Sequence, residues 1–129
     1  MPLSPRPASP SPPRVVIVDA DRRVQQSLSD LLGVTGEVEV VGRAGDVRAA
    51  LLEVERLQPD VVLVDPRLPD IEAGEALIGG MARAWPSMRI VLTGWSGPEG
   101  PRDNGSRYVS KGSSPEAFAT AIVDACCID

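Results

Sequence analysis

The sequence has no histidine, which removes histidine metal ligation and a Ser-His-Asp triad from consideration. Aromatic residues are 3% of the chain, too few for a base-stacking surface or a flavin-clamping pocket. Cysteine is confined to the adjacent pair Cys126 and Cys127, which suits neither a structural disulfide nor a metal site and reads as inert helix residues in a reducing cytoplasm. No apolar run approaches the roughly 20 residues a membrane helix needs, so no membrane contact is expected. A net charge of -5 opposes a direct grip on a nucleic-acid backbone. Lysine is almost missing too: Lys111 stands alone against twelve arginines. Arginine supplies the general surface charge, which singles out one compact, rotatable ammonium.

What is present is a globular balance, 43% hydrophobic and 24% charged over 129 residues, enough for one domain. Residues 1–13 are rich in proline and serine and lack the apolar core of a signal peptide, so they read as a disordered tail before a domain at 14–127. Five apolar runs of strand length follow, at 14–19, 37–41, 60–65, 88–93 and 106–110. Helical spacing separates them. Val24, Leu28, Leu31 and Leu32 predict a helix that stops at Gly33. Asp46 caps a second helix that stops before Pro59, and a third is expected over Glu75 to Ala84. Ser114-Pro115-Glu116 opens a last helix through Phe118, Ala121, Ile122 and Ala125. Residues 94–105 are too rich in glycine and proline for a regular helix, leaving a loop with at most one helical turn. Alternating strands and helices predict a parallel sheet with helices on both faces.

In such a sheet the carboxyl ends of the strands collect the chemistry. The first strand ends at Asp19 with Asp21 two residues on, the third at Asp65, the fourth at Thr93, and the fifth is followed by Lys111. Gathered carboxylates need a cation to offset them, commonly Mg²⁺ with oxygen ligands and waters. This set suits phosphoryl transfer. Asp65 would attack phosphorus to give an acyl phosphate, Mg²⁺ and Lys111 would offset charge on the phosphoryl oxygens, and the Thr93 hydroxyl would donate to one of them.

Strand-ending Asp19, "VVLVDPRLPD" with Asp65, the Thr93 strand end and "YVSK" ending at Lys111 together resemble the receiver domain of bacterial two-component response regulators, over about residues 14 to 127. The resemblance implies a three-layer α/β sandwich with a five-stranded parallel sheet of order 2-1-3-4-5, flavodoxin-like and CheY-like, while the composition of residues 94–105 leaves its fourth helix reduced or missing. It implies a phosphoacceptor at Asp65, a Mg²⁺ site completed by Asp19 and the backbone carbonyl of Arg67, and switch residues Thr93, Lys111 and Tyr108. "YVSKGSSPEAFATAI" is most similar to the NarL/LuxR-like branch. That implies a sensor histidine kinase as partner, a homodimer through the first and fifth helices, DNA contact only through an output domain that this stand-alone or excised chain lacks, a cytoplasmic place and no enzymatic role.

Two departures matter. Ala20 stands where the family has a second acidic residue, usually the direct metal ligand, and Asp21 is displaced by one residue, so Mg²⁺ binding and phosphorylation should be weakened. The loop 94–105 is also short for the family. Gly74 follows Ala73, where the family often has its glycine first. An atypical, phosphorylation-independent receiver and a conventional Mg²⁺-dependent one both stand as readings. From another class, "VVIVDADRRV" resembles the opening of haloacid-dehalogenase-type phosphatases, with Asp19 as nucleophile and Asp21 as acid/base. Against it, Arg23 stands where that motif prefers Thr or Val, and Asp65 goes unexplained. Phosphate-cradling residues for a flavodoxin-type flavin site do not follow the first strand.

Overall fold

The computed structural model describes residues 11–95, 100–101 and 107–127. Its elements run β1 (Arg14–Val18), α1 (Arg22–Thr35), β2 (Glu39–Ala44), α2 (Val47–Leu57), β3 (Val61–Val64), α3 (Ile71–Ala84), β4 (Arg89–Gly94), β5 (Gly100–Pro101), β6 (Arg107–Ser110) and α4 (Pro115–Cys127). Strand order is β2-β1-β3-β4-β6-β5. Its five longer strands are mutually parallel in the expected order, and β5 adds a two-residue antiparallel edge against β6 that the sequence did not announce. Among the described residues no helix lies between β4 and β6, and residues 96–99 and 102–106 of the expected loop lie outside them.

Strand residues alternate cleanly between two cores, because successive side chains leave a strand on opposite faces. Val15, Ile17, Leu63, Val91 and Val109 pack with Leu28 and Leu32 of α1 and Phe118 and Ile122 of α4. Val16, Val18, Val62, Val64, Leu92 and Tyr108 pack with Ala50 and Val54 of α2 and Leu77 and Met81 of α3. With both faces covered, the central strands are apolar throughout, and Val61 to Val64 are all 0% exposed.

Helix ends follow their local chemistry. Asp21, Asp46 and Asp70 cap α1, α2 and α3, their side chains accepting from the backbone N–H of Arg23, Ala49 and Ala73, while Ser114 Oγ accepts from Ala117 N in α4. Three boundaries differ from the sequence reading. The first helix passes through Gly33 and ends at Gly36, whose φ of 68° is the left-handed conformation glycine adopts freely. α3 starts four residues early, at Ile71, because Asp70 supplies its cap. β2 lies at 39–44 rather than 37–41, its register against β1 shifted between Val15 and Val16.

The turn leaving β3 is fixed by close contact with α3. A Cβ on Gly74 would sit 1.5 Å from the carbonyl oxygen of Pro66, so only glycine lets the first turn of α3 pass the loop that follows Asp65. Gly74→Ala is expected to cost about 2–3 kcal/mol, read as a lower urea midpoint at unchanged m. Gly80→Ala, where a Cβ meets nothing within 4 Å, should be neutral or stabilising. Equal effects at the two positions would show that the close approach is not what limits Gly74.

Candidate functional site

Four polar side chains continue one row of the sheet. Asp19, Asp65, Thr93 and Lys111 each follow by two residues a member of the core facing α1 and α4, namely Ile17, Leu63, Val91 and Val109, so all four share that row's parity. Hydrogen bonds extend the ladder to this level: Asp19 N donates to Ala44 O at 3.0 Å, Asp65 N to Val18 O at 3.0 Å, and Lys111 N to Gly94 O at 2.8 Å. Pairing of Val18 with Val64 and of Val64 with Leu92 sets Asp19, Asp65 and Thr93 level, while pairing of Thr93 with Val109 places Lys111 two residues farther along. The result is a polar cluster inside the fold: Asp19 is 3% exposed, Asp65 9%, Thr93 1% and Lys111 9%.

Lys111 organises it. Its Nζ lies 2.6 Å from Asp19 Oδ2 and 2.6 Å from Asp65 Oδ2. The Asp65 contact is a hydrogen bond, whereas the Asp19 contact is a close ion pair without hydrogen-bond alignment, so Asp19 Oδ2 has no aligned donor. The remaining carboxylate oxygens are taken by backbone donors: Asp21 N donates to Asp19 Oδ1 and Arg67 N to Asp65 Oδ1, both at 2.9 Å. Burial alone would lower the pKa of Lys111, but the two carboxylates outweigh it and hold the ammonium above the ordinary lysine value of 10.5. Thr93 Oγ1 is buried with no hydrogen-bond partner. An orphaned hydroxyl beside a carboxylate and an ammonium is a donor awaiting an acceptor, which an anionic group on Asp65 would supply.

Asp21 is not brought into this cluster. Its carboxylate accepts from Arg23 N at 2.8 Å, as the cap of α1. Ala20 is exposed and offers no ligand. A cation here would find the carboxylates of Asp19 and Asp65, and the expected third ligand, the backbone carbonyl of Arg67, belongs to the turn in which Arg67 N donates to Asp65 Oδ1. All are hard oxygen ligands, which fits Mg²⁺ with several waters retained. Among the described residues no three histidine, cysteine or acidic side chains gather as a metal cluster.

Tyr108 belongs to the other face. It is 7% exposed within the core under α2 and α3, and Gly94 leaves room for it, since a Cβ there would lie 2.9 Å from the Tyr108 hydroxyl. Two participants escaped the sequence reading. Gln25, 8% exposed, donates through Nε2 to Asp19 O at 2.7 Å and to Ala44 O at 3.3 Å, tying α1 to two strand ends. Its signal was available, because 25, 28 and 32 fall on the buried stripe of α1. Trp95, 67% exposed, places its ring centroid 5.5 Å from Lys111 Nζ, and no spacing in the sequence announces it.

The response regulator receiver domain family matches residues 15–122. The chain is similar to the DNA-binding transcriptional activator DevR/DosR of Mycobacterium tuberculosis, 35% identical over 116 residues that cover 86% of this chain and 53% of that protein. It thus spans about half the length of that curated relative. Among solved structures, the signal receiver domain of the putative response regulator NarL from Mycobacterium tuberculosis superposes with a TM-score of 0.71 at 26% identity, covering 91% of this chain and 98% of that one. The response regulator domain of Thermotoga maritima CheB reaches a TM-score of 0.75 at 21% identity, covering 92% and 99%, a likeness of fold.

Replacing Lys111 by methionine would leave two buried carboxylates facing each other, at a cost of about 3 kcal/mol or more. The sign with pH follows from the raised pKa: the contribution of the ammonium is complete below the ordinary lysine value and is lost as pH climbs through the raised one. The difference in unfolding free energy between the parent chain and Lys111→Met should therefore stay flat from neutral pH to about 10 and shrink beyond it. A difference that shrinks already below about pH 9 would show that the ammonium is not held in this way.

Proposed function

The chain belongs to the response regulator receiver domain family of two-component signalling, and from that premise we propose that it receives its signal at Asp65 through an atypical site in which Mg²⁺-dependent phosphorylation is weakened. One observation carries this reading: Ala20 has no carboxylate and that of Asp21 caps α1, so two acids serve where the family's pattern has three. In the reaction, an oxygen of Asp65 forms a bond to phosphorus as the bond from phosphorus to the donor's leaving group breaks, giving an acyl phosphate. Lys111 moves with the new negative charge, and Thr93 Oγ1 donates to a phosphoryl oxygen. Mg²⁺ bound by Asp19, Asp65 and the Arg67 carbonyl would offset charge on the remaining oxygens. A sensor histidine kinase is the proposed phosphoryl source.

Output follows from the same placement. Thr93 pairs with Val109, next to Tyr108, so an inward pull on Thr93 reaches the face packed by α2 and α3. Self-association is assigned to α1 and α4, the family's first and fifth helices, which share one face of the sheet. Transcription is the proposed process controlled, through a separate DNA-binding domain; support comes from the DevR/DosR relative, described as a DNA-binding transcriptional activator, and from this chain's own negative charge. The cytoplasm is the proposed location, and among the described residues no helix is long and apolar enough to cross a membrane. A conventional, efficiently phosphorylated receiver is the second reading, favoured by the intact grouping of Asp19, Asp65 and Lys111.

Intact mass after incubation with acetyl phosphate and Mg²⁺ separates the two. Sparse uptake of one phosphoryl group by the parent, none by Asp65→Ala, and about tenfold or more faster uptake by Ala20→Asp is expected. Rapid, complete uptake by the parent would establish the conventional site. Uptake undiminished in Asp65→Ala would remove Asp65 from the phosphoacceptor role.

A further inference from the structure

We propose that the proline-rich residues 1–10 dock as a polyproline II segment in a groove at the amino ends of the strands, the pole of the sheet opposite the polar cluster. The groove has a volume of about 620 Å³, and Pro13, Asp60 and Met88, which immediately precede β1, β3 and β4, all line it. Its aromatic wall is Trp85, flanked by Pro86 and facing a groove that Pro59 also lines. Trp85 and Met88 are partly buried against the core under α2 and α3, so an apolar occupant extends packing that the fold leaves open at this end. Grooves with an aromatic wall take proline-rich segments, because a polyproline II helix arrives preformed.

The occupant follows from where the chain enters. Pro13 O accepts from Glu39 N at 2.8 Å and Arg14 N donates to Asp60 Oδ2 at 2.8 Å, which clamps the chain to its neighbours at the mouth of the groove, and Ser11 also lines it. A polyproline II helix has three residues per turn, so Pro13 shares an edge with Pro10 and Pro7, and Ser11 shares a second with Ala8 and Pro5. Both edges that meet the groove thus continue in prolines and small residues. The third edge carries Ser9, Leu3 and Arg6, the one charged side chain of residues 1–10, and turns away. Reach is ample: β1 and β4 flank β3, a span of about 10 Å, which three or four residues cross at about 3.1 Å each. Ordering costs little, because every residue from 1 to 13 except Leu3 and Ala8 is a proline or precedes one and is held extended before it docks.

The test reads Trp85, which a Trp95→Phe background leaves as the single tryptophan. Acrylamide quenching of its fluorescence is compared in the full chain, in a chain shortened by residues 1–10, and in two full-length variants. A proline stacked on one face of the indole covers about half of the ring, so quenching should rise about twofold in the shortened chain. Pro10→Asp, which puts a charge on an edge that meets the groove, should match the shortened chain. Ser9→Asp, one residue away on the outward edge, should match the parent. These point variants keep the full chain, so the reading does not depend on how well the shortened chain folds. Equal quenching in the parent, the shortened chain and Pro10→Asp, or a loss of protection as large in Ser9→Asp as in Pro10→Asp, would overturn the proposal. Protection that grows with protein concentration would place the segment of a second copy in the groove and overturn docking within one chain.

Discussion

Two carboxylates buried side by side repel each other, and a fold that ends neighbouring strands in Asp19 and Asp65 depends on whatever offsets that repulsion. Here it is the ammonium of Lys111, delivered from the far side of β4 by the last strand of the sheet. Such a group is costly to bury and costly to remove, so its value lies less in net stability than in fixing where three strands must end. Much of the neighbourhood serves that alignment. Backbone donors from Asp21 and Arg67 hold the second oxygen of each carboxylate, Gln25 ties the end of β1 to that of β2, and the contact of Gly74 with Pro66 fixes the turn beyond Asp65.

The arrangement also divides labour between the faces of the sheet. Asp19, Asp65, Thr93 and Lys111 continue the row packed by α1 and α4, while Tyr108 sits in the core under α2 and α3. What joins them is one register: Thr93 opposite Val109, with Leu92 opposite Tyr108. The backbone at Thr93 is therefore shared by both cores, and close packing on either face leaves little room to absorb a shift there.

The parallel strand order and the site row were legible in the sequence for a single reason. Apolar runs that stop abruptly at an acid, a hydroxyl or a lysine mark both the strand and its carboxyl end. Asp46 and Ser114 were legible as caps because capping is local chemistry. The rest depends on tertiary context. Gly33 looks like a helix end, yet packing of Leu28 and Leu32 carries α1 on to Gly36. The offset of β2 follows from a register shift against β1, and the commitment of Asp21 to α1 from a cap whose competitor would have been a metal. Trp95 has no spacing to betray it, since its role is defined by the neighbour it meets in space.

The single-row geometry bears on which genetic changes such a chain can survive. A substitution at one of the four row positions alters one group and leaves the other three in place. Deleting or inserting one residue within β1, β3, β4 or β6 does something different: it turns that strand's terminal group to the opposite face and brings the residue after or before it to the cluster. A change of two residues restores the facing but moves the group along the strand by about 7 Å, out of reach of its neighbours. Strand lengths are thus constrained more tightly than strand sequences.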